Sequence, residues 1–229
     1  MQMTELELLE NQITECRLCP RLVKYREDVA RHKRRAYRDQ DYWGRPVPGF
    51  GDPQAQILIV GLAPAAHGGN RTGRVFTGDR SGDFLYNALY RAGFASQPHS
   101  VSKDDGLRLK NVFITASVRC APPANKPSPE EIVTCRRYLR RELELLRGVR
   151  VVIALGKLAF DDYLSVLKEA GSIERRSAYI FGHDVEYRIG DNQPLLVASY
   201  HPSQQNTQTG KLTEEMFQNV FARARGLID

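Results

Sequence analysis

The chain of 229 residues is 41% hydrophobic and 26% charged, the make-up of a folded globular protein rather than a disordered one. Lys and Arg number 33 against 27 Asp and Glu, a surplus of six that fits a polyanionic partner without specifying one. No run reaches the roughly 18 apolar residues of a membrane span, and the acidic, amphipathic start lacks the basic flank and apolar core of a secretory leader, so a cytosolic setting is expected.

In chain order, Thr4 to about Arg35 reads as helical, with a break around Cys19-Pro20. It closes on a basic run, Arg31-His32-Lys33-Arg34-Arg35 with Arg38, whose plain reading is a solvated helix face. The Gly- and Pro-rich segment Tyr42–Asp52, YWGRPVPGFGD, is expected to be irregular. Four short apolar runs follow: Gln56–Pro64, Val112–Cys120, Val149–Lys157 and Pro194–Pro202. Helical stretches lie between and after them. One follows Ser81 with Phe84, Leu85, Ala88 and Leu89 on one face. Another starts at Ser128-Pro129-Glu130-Glu131, where Ser128 is a cap and Glu131 closes a capping box. The last two run from about Lys157 to Ala170 and from Thr213 to Leu227. Strands alternating with helices imply right-handed crossovers and a mainly parallel four-stranded sheet covered on both faces. Tyr179–Ile189 alternates enough for a hairpin or an added edge strand. No repeat or linker divides the chain, so one domain over residues 1–229 is expected, with residues 1–41 as an appended helical segment.

Sheets of this kind bind ligands beyond the carboxyl ends of their strands. The most unusual residues fall there: Gly61-Leu62-Ala63-Pro64, Arg119-Cys120, Gly156-Lys157 and His201-Pro202-Ser203. The four cysteines are Cys16 and Cys19, spaced C-x2-C, with Cys120 and Cys135. In a cytosolic chain such a set points to metal rather than disulfides. Zinc and an iron–sulfur cluster are both compatible with four thiolates; the spread second pair departs from zinc knuckles, and Cys19-Pro20 resembles ferredoxin-type motifs. The segment Gly61–Phe84 carries five glycines suited to close backbone approach but matches neither of the common phosphate-binding fingerprints. Within it Arg71 and Arg74 are candidate phosphate contacts, and Phe76 is a core aromatic or a stacking platform for a flat base.

These motifs, GLAPAAHGGNRTGRVFTGD, YWGRPVPGFGD, VRCAPPANKP and SYHPSQQNTQTGKLT, resemble the uracil-DNA glycosylase superfamily, specifically its family 5, the type-b enzymes. The resemblance runs from Cys16 to about Thr213. It implies a three-layer α/β/α sandwich and a [4Fe–4S] cluster on Cys16, Cys19, Cys120 and Cys135 that ties the N-terminal segment to the sheet. It also implies a monofunctional enzyme that excises uracil, and with it hypoxanthine and some modified pyrimidines, from double- and single-stranded DNA. A monomer in a bacterial or archaeal cytosol, associated with the nucleoid, is the matching expectation.

The resemblance also supplies roles. A base inside a duplex must be flipped into a pocket before it is attacked. Phe76 matches the stacking aromatic, while Gly61, Leu62, Ala63, Pro64 and Ala116 form the base-binding wall. His201, in His-Pro-Ser, matches the donor to the oxyanion that develops on the departing base. Other branches place Asp, Asn or Glu just after the first strand; here Ala65-Ala66 stand, and Asp79 is the carboxylate expected to position water or stabilise the cationic sugar. Thr115-Ala116-Ser117 replace an Asn-bearing motif that reads uracil, a change expected to relax specificity. Arg119, Lys126 and the basic run 31–38 join Arg71 and Arg74 as expected phosphate contacts. Ser203, Gln204, Gln205 and Asn206 are expected to enter the vacated stack. Two rival readings remain: a non-catalytic iron–sulfur module that binds damaged DNA, and a zinc-bearing enzyme acting on free nucleotides.

Overall fold

A computed structural model describes residues 3–228, so the ends of the expected 1–229 span, Met1, Gln2 and Asp229, lie outside it. The central strands are β2 (Ile57–Gly61), β3 (Val112–Ala116), β4 (Val151–Leu155) and β6 (Leu195–Ser199), flanked by β1 (Phe50–Gly51) and β5 (Val185–Tyr187). The sheet order is β1-β3-β2-β4-β6-β5. The four inner strands pair parallel and the two short edges antiparallel, which adds two strands to the four expected. Strand β5 falls inside the alternating segment Tyr179–Ile189. The two-residue β1 lies in the segment read as irregular, and is too short to show a period.

Every residue of the four inner strands is buried. Alternate side chains feed two cores, as the pleat requires. Ile57, Ile59, Ile153 and Val197 face α4 (Arg80–Arg91) and α8 (Glu214–Gly226). Leu58, Val60, Val152 and Leu196 face α5 (Pro129–Leu145) and α6 (Lys157–Glu169) on the other side. The result is an α/β/α sandwich, with the short helices α3 (Gly69–Thr72) and α7 (Gln204–Gln208) in the loops after β2 and β6. Ser128 caps α5 with the full capping box to Glu131. The Glu131 carboxylate also takes Arg21 at 2.6 Å and so ties α2 (Pro20–His32) to α5.

Helix α1 (Glu5–Thr14) lies on α5 through Leu6, Leu9 and Ile13. Burial, followed by the charges of Glu142 and Glu7, pushes the Glu10 carboxyl from 4.5 up to about 7. The folded state therefore holds this proton more tightly than the unfolded chain, and stability is lost as pH rises from 4.5 through 7. Glu10→Gln is expected to raise stability at pH 8 by about 1 kcal/mol, discounted for partial exposure, and to change little at about pH 4. Thermal melts of both proteins at the two pH values check this.

Candidate active site

The carboxyl ends of β2, β3 and β6 open into one cavity of about 270 Å³. Leu62, Ala63, Pro64 and Ala65 from the loop after β2 form one wall. Phe76, Asp79, Ala116, His201 and Ser203 complete most of the rest. The expected base-binding residues thus converge, except that Gly61 acts from behind the wall. A Cβ on Gly61 would stand 2.7 Å from the Phe76 ring, so its missing side chain lets that ring lie against the strand end. Phe76 itself holds a left-handed backbone (φ 50), a strained state for an aromatic that local packing imposes. Its ring lies 5.8 Å from the His201 imidazole and is tilted by 31°. The two flat groups thus border the same cavity.

His201 leaves β6 on the short turn to Ser203, and Asn206 donates to its carbonyl at 2.8 Å. Burial depresses the imidazole pKa to about 4. The ring is therefore neutral at physiological pH and can offer one N–H donor. Asp79 is the N-cap of α4, its Oδ1 accepting from the Gly82 amide at 3.0 Å. Its second oxygen, Oδ2, packs against Gly68, where any Cβ would collide with it. Burial raises the Asp79 carboxyl above its ordinary value, against the lowering effect of the Gly82 and Ser81 amides. Capping, one of the two competing readings of the sequence, engages Oδ1 and leaves Oδ2 out of the cap. Thr115 and Ser117 are fully buried, and Thr115 donates to Glu142 at 2.6 Å, leaving Ala116 as the β3 residue at the cavity.

A broad groove of about 740 Å³ shares Ala65, Asp79, Ser81, Asn125 and Ser203 with the cavity. It continues past Arg34, Tyr37, His67, Arg80, Gln204 and Gln205. The cavity thus opens on a groove edged with cations, amides and aromatics.

Comparison with known proteins gives this geometry its family. The model of the Uracil DNA glycosylase superfamily matches residues 48–225. A type-5 uracil-DNA glycosylase of Thermus thermophilus is 54% identical over 221 residues, 96% of this chain and 97% of that protein. Its counterpart in Mycobacterium bovis is 52% identical over 94% of this chain and 79% of its own length. One from Pyrobaculum aerophilum is 45% identical over 93% and 89%. The chain belongs to the uracil-DNA glycosylase superfamily.

Within this superfamily fold, three of the arginines expected at phosphates point elsewhere. Arg71 donates to the carbonyls of His67 and Gly78 and to Gln40, and stacks 4.1 Å above Tyr37. Arg74 is 3% exposed and pairs with Asp105 at 2.6 Å; Arg119 is 1% exposed and pairs with Glu142 at 2.6 Å. All three are internal struts, a correction to their expected role, because their charges are already neutralised or hydrogen-bonded inside the protein. Asn206 is corrected in part: its amide turns inward to hold His201, while Gln204 and Gln205 stay exposed beside the groove. With its amide oxygen toward Arg80, Gln204 accepts from Nε at 3.0 Å and from Nη1 at 3.2 Å. Lys126 is exposed, as a phosphate contact requires.

Sequence reasoning missed Asn125 and Arg80, whereas Arg34 belongs to the basic run 31–38 expected at phosphates and does border the groove. Asn125 lines both cavity and groove on a left-handed backbone (φ 55), next to the likewise left-handed Ala124 (φ 53). The Ala-Asn pair between Pro123 and Pro127 was its available signal, since Asn is among the residues that tolerate this conformation.

The four cysteines line one small pocket between α2, α5 and the end of β3, with Cys120 and Cys135 in the satellite core. None of the four is in a disulfide. Among the described residues no group of three or more His, Cys, Asp or Glu side chains stands ready to hold a single metal ion. Burial pushes the Cys120 thiol up to about 11 and Cys135 up to about 12, against the lowering influence of Arg26 and Arg119 respectively. The Arg119 amide donates to the Cys135 sulfur at 3.3 Å and Arg26 Nη1 to the Cys120 sulfur at 2.9 Å. Donors aimed at sulfur suit thiolates, so the cradle fits an anionic metal–sulfur centre.

Proposed function

We propose that this chain is a DNA glycosylase that flips uracil out of DNA and hydrolyses its N-glycosidic bond, leaving an abasic site. The observation that carries the reading is the convergence of Phe76, Asp79 and His201 on one base-sized cavity beside a cation-edged groove. Relatives named type-5 uracil-DNA glycosylases, collinear with nearly the whole chain, support it.

The chemistry follows from the charges that develop. Bond cleavage leaves a cationic sugar and an anionic base. Phe76 stacks under the flipped base. The neutral His201 donates its N–H toward the base oxygen as negative charge collects there, a contact that strengthens in the transition state. Asp79, as its carboxylate, faces the sugar, stabilises the cation and orients the water that attacks it. Ala65 and Ala66 supply no polar atom for that water, so Asp79, with Asn125 beside it, takes the task. Gln204 and Gln205 fill the vacated stack, and Arg34, Arg80 and Lys126 meet phosphates in a salt-sensitive way.

Specificity is broad in this reading. Ala116 presents only a methyl group at the cavity, so a base with a different polar edge strands no buried partner there. Hypoxanthine and modified pyrimidines are therefore substrates alongside uracil, in duplex and single-stranded DNA. The protein acts as a monomer, one domain throughout, in the cytosol. Among the described residues no helix is long and apolar enough to cross a membrane. Cys16, Cys19, Cys120 and Cys135 would hold a [4Fe–4S] cluster, for which four thiolates are the ligand set. That group supplies structural cross-linking between α2, α5 and the loop after β3, and no step of base excision runs through it.

The deciding experiment incubates purified protein with duplexes containing one uracil or one hypoxanthine and scores strand breakage after alkali. Alkali-labile product from the uracil duplex is expected, and its absence with both duplexes sinks the glycosylase reading in favour of a non-catalytic damage-binding module.

A further inference from the structure

The cysteine cradle contains a charge that base excision does not use. Arg26, on α2, is 2% exposed. Its Nη1 donates to the Cys120 sulfur at 2.9 Å and its Nη2 to the Cys16 carbonyl at 3.2 Å, while Nε has no partner. The nearest carboxylate, Glu27, lies 3.9 Å from Nη2 and is held by Arg17 at 2.5 Å. The neighbouring charges are already matched: the buried Arg119 by Glu142 and the half-exposed Arg21 by Glu131. The backbone that carries Arg26 is held as well. The fully buried Asn70 donates to its carbonyl at 3.2 Å and anchors itself on the Ala65 carbonyl at 3.1 Å, fixing this turn of α2 against the loop after β2.

Burying a guanidinium without a matched anion is strongly unfavourable. The group that faces it here is sulfur. A planar fork reaches a sulfur and a carbonyl together, which the single ammonium of lysine does not reproduce. We propose that Arg26 is the counter-charge and clamp of the four-cysteine centre: it sets the reduction potential of the bound iron–sulfur group and bridges Cys120 to Cys16 so that the group is retained. The proposal rests on the iron–sulfur reading above.

Positive charge and hydrogen bonds at the ligand sulfurs favour the reduced, more negative state of such a cluster. Arg26→Met in the protein as purified is therefore expected to shift the reduction potential, read by voltammetry, to more negative values. Release of iron to a ferrous chelator is expected to quicken by about tenfold or more, the usual effect of losing a group that supports metal ligands. Arg26→Lys keeps the charge but not the fork, so its potential stays near that of the parent while iron release still quickens. Should Arg26→Met fail to fold, Arg26→Gln, which keeps donors but not charge, is measured in its place with the same expected shift. A potential unchanged in Met or Gln overturns the counter-charge, and unchanged iron release in all variants overturns the clamp. An unsubstituted protein with no iron and no brown absorption overturns the cluster reading itself, an outcome distinct from either.

Discussion

Asp79→Asn is expected to slow single-turnover excision of uracil by about 100- to 1,000-fold, and His201→Ala by a similar factor, each with DNA affinity largely retained. The aspartate substitution is informative because it separates two roles of one side chain. Asn is as good an N-cap as Asp, so the bond from the Gly82 amide survives and α4 starts where it did. Only the charge at the second oxygen, beside Gly68, is lost. The pH profile supplies a second reading. Burial lifts Asp79 above the ordinary aspartate value, and the reaction requires it ionised, so the rate falls with decreasing pH along a limb that begins above 3.8. His201 protonates near pH 4 and adds its own loss there. In Asp79→Asn the contribution of this carboxyl to the limb is gone. Single-turnover rates from about pH 4 to about pH 9 on a uracil duplex measure both effects. A full-speed Asp79→Asn removes this carboxylate from the reaction.

The elements that carry this site were readable from the chain because each is specified locally. Strands such as Ile57–Gly61 are apolar throughout, as strands buried on both faces must be, and the polar or small residues after them mark the carboxyl edge where the cavity opens. Ser128-Pro129-Glu130-Glu131 specified a helix start that the structure reproduces bond for bond. Phe76, Asp79 and His201 were found through long motifs, which encode a backbone path as well as side chains. Features decided by distant partners were not readable in the same way. Strand β1 exists because Phe50 and Gly51 happen to lie beside Ile114 and Phe113. Whether Arg71, Arg74 or Arg119 meets solvent or a buried acceptor depends on residues brought close only by the fold. Asn125 shows the opposite failure: its left-handed backbone had a local signature, but its place at the cavity depends on how the loop after β3 folds back.

Arg119→Met is expected to lower the thermal midpoint on the order of 10 °C while leaving the salt dependence of DNA binding unchanged. A surface phosphate contact would behave in the opposite way, with weaker binding, a shallower salt slope and ordinary stability. The difference follows from Glu142, 1% exposed, which accepts from Arg119 Nη2 and from Thr115 Oγ1, both at 2.6 Å. Removing the arginine leaves that carboxylate buried with one neutral donor, a loss of about 3–5 kcal/mol by analogy with other broken buried pairs. For a chain of this size each kcal/mol corresponds to about 2–4 °C. Glu142→Gln, which leaves the guanidinium uncompensated instead, costs a similar amount. The double variant Arg119→Met, Glu142→Leu removes both charges together and is expected to be more stable than either single one, since apolar replacement of a buried pair is often close to neutral. Thermal melts of the four proteins, with filter-binding at two salt concentrations, decide between strut and phosphate contact. The strut also explains the placement of the neighbouring chemistry. Thr115 is drawn to Glu142 on one side of β3, so Ala116 is left at the cavity, while the Arg119 backbone accepts from Val47 and donates to the Cys135 sulfur. One internal ion pair thereby fixes the strand end that borders both the base pocket and the cysteine cradle.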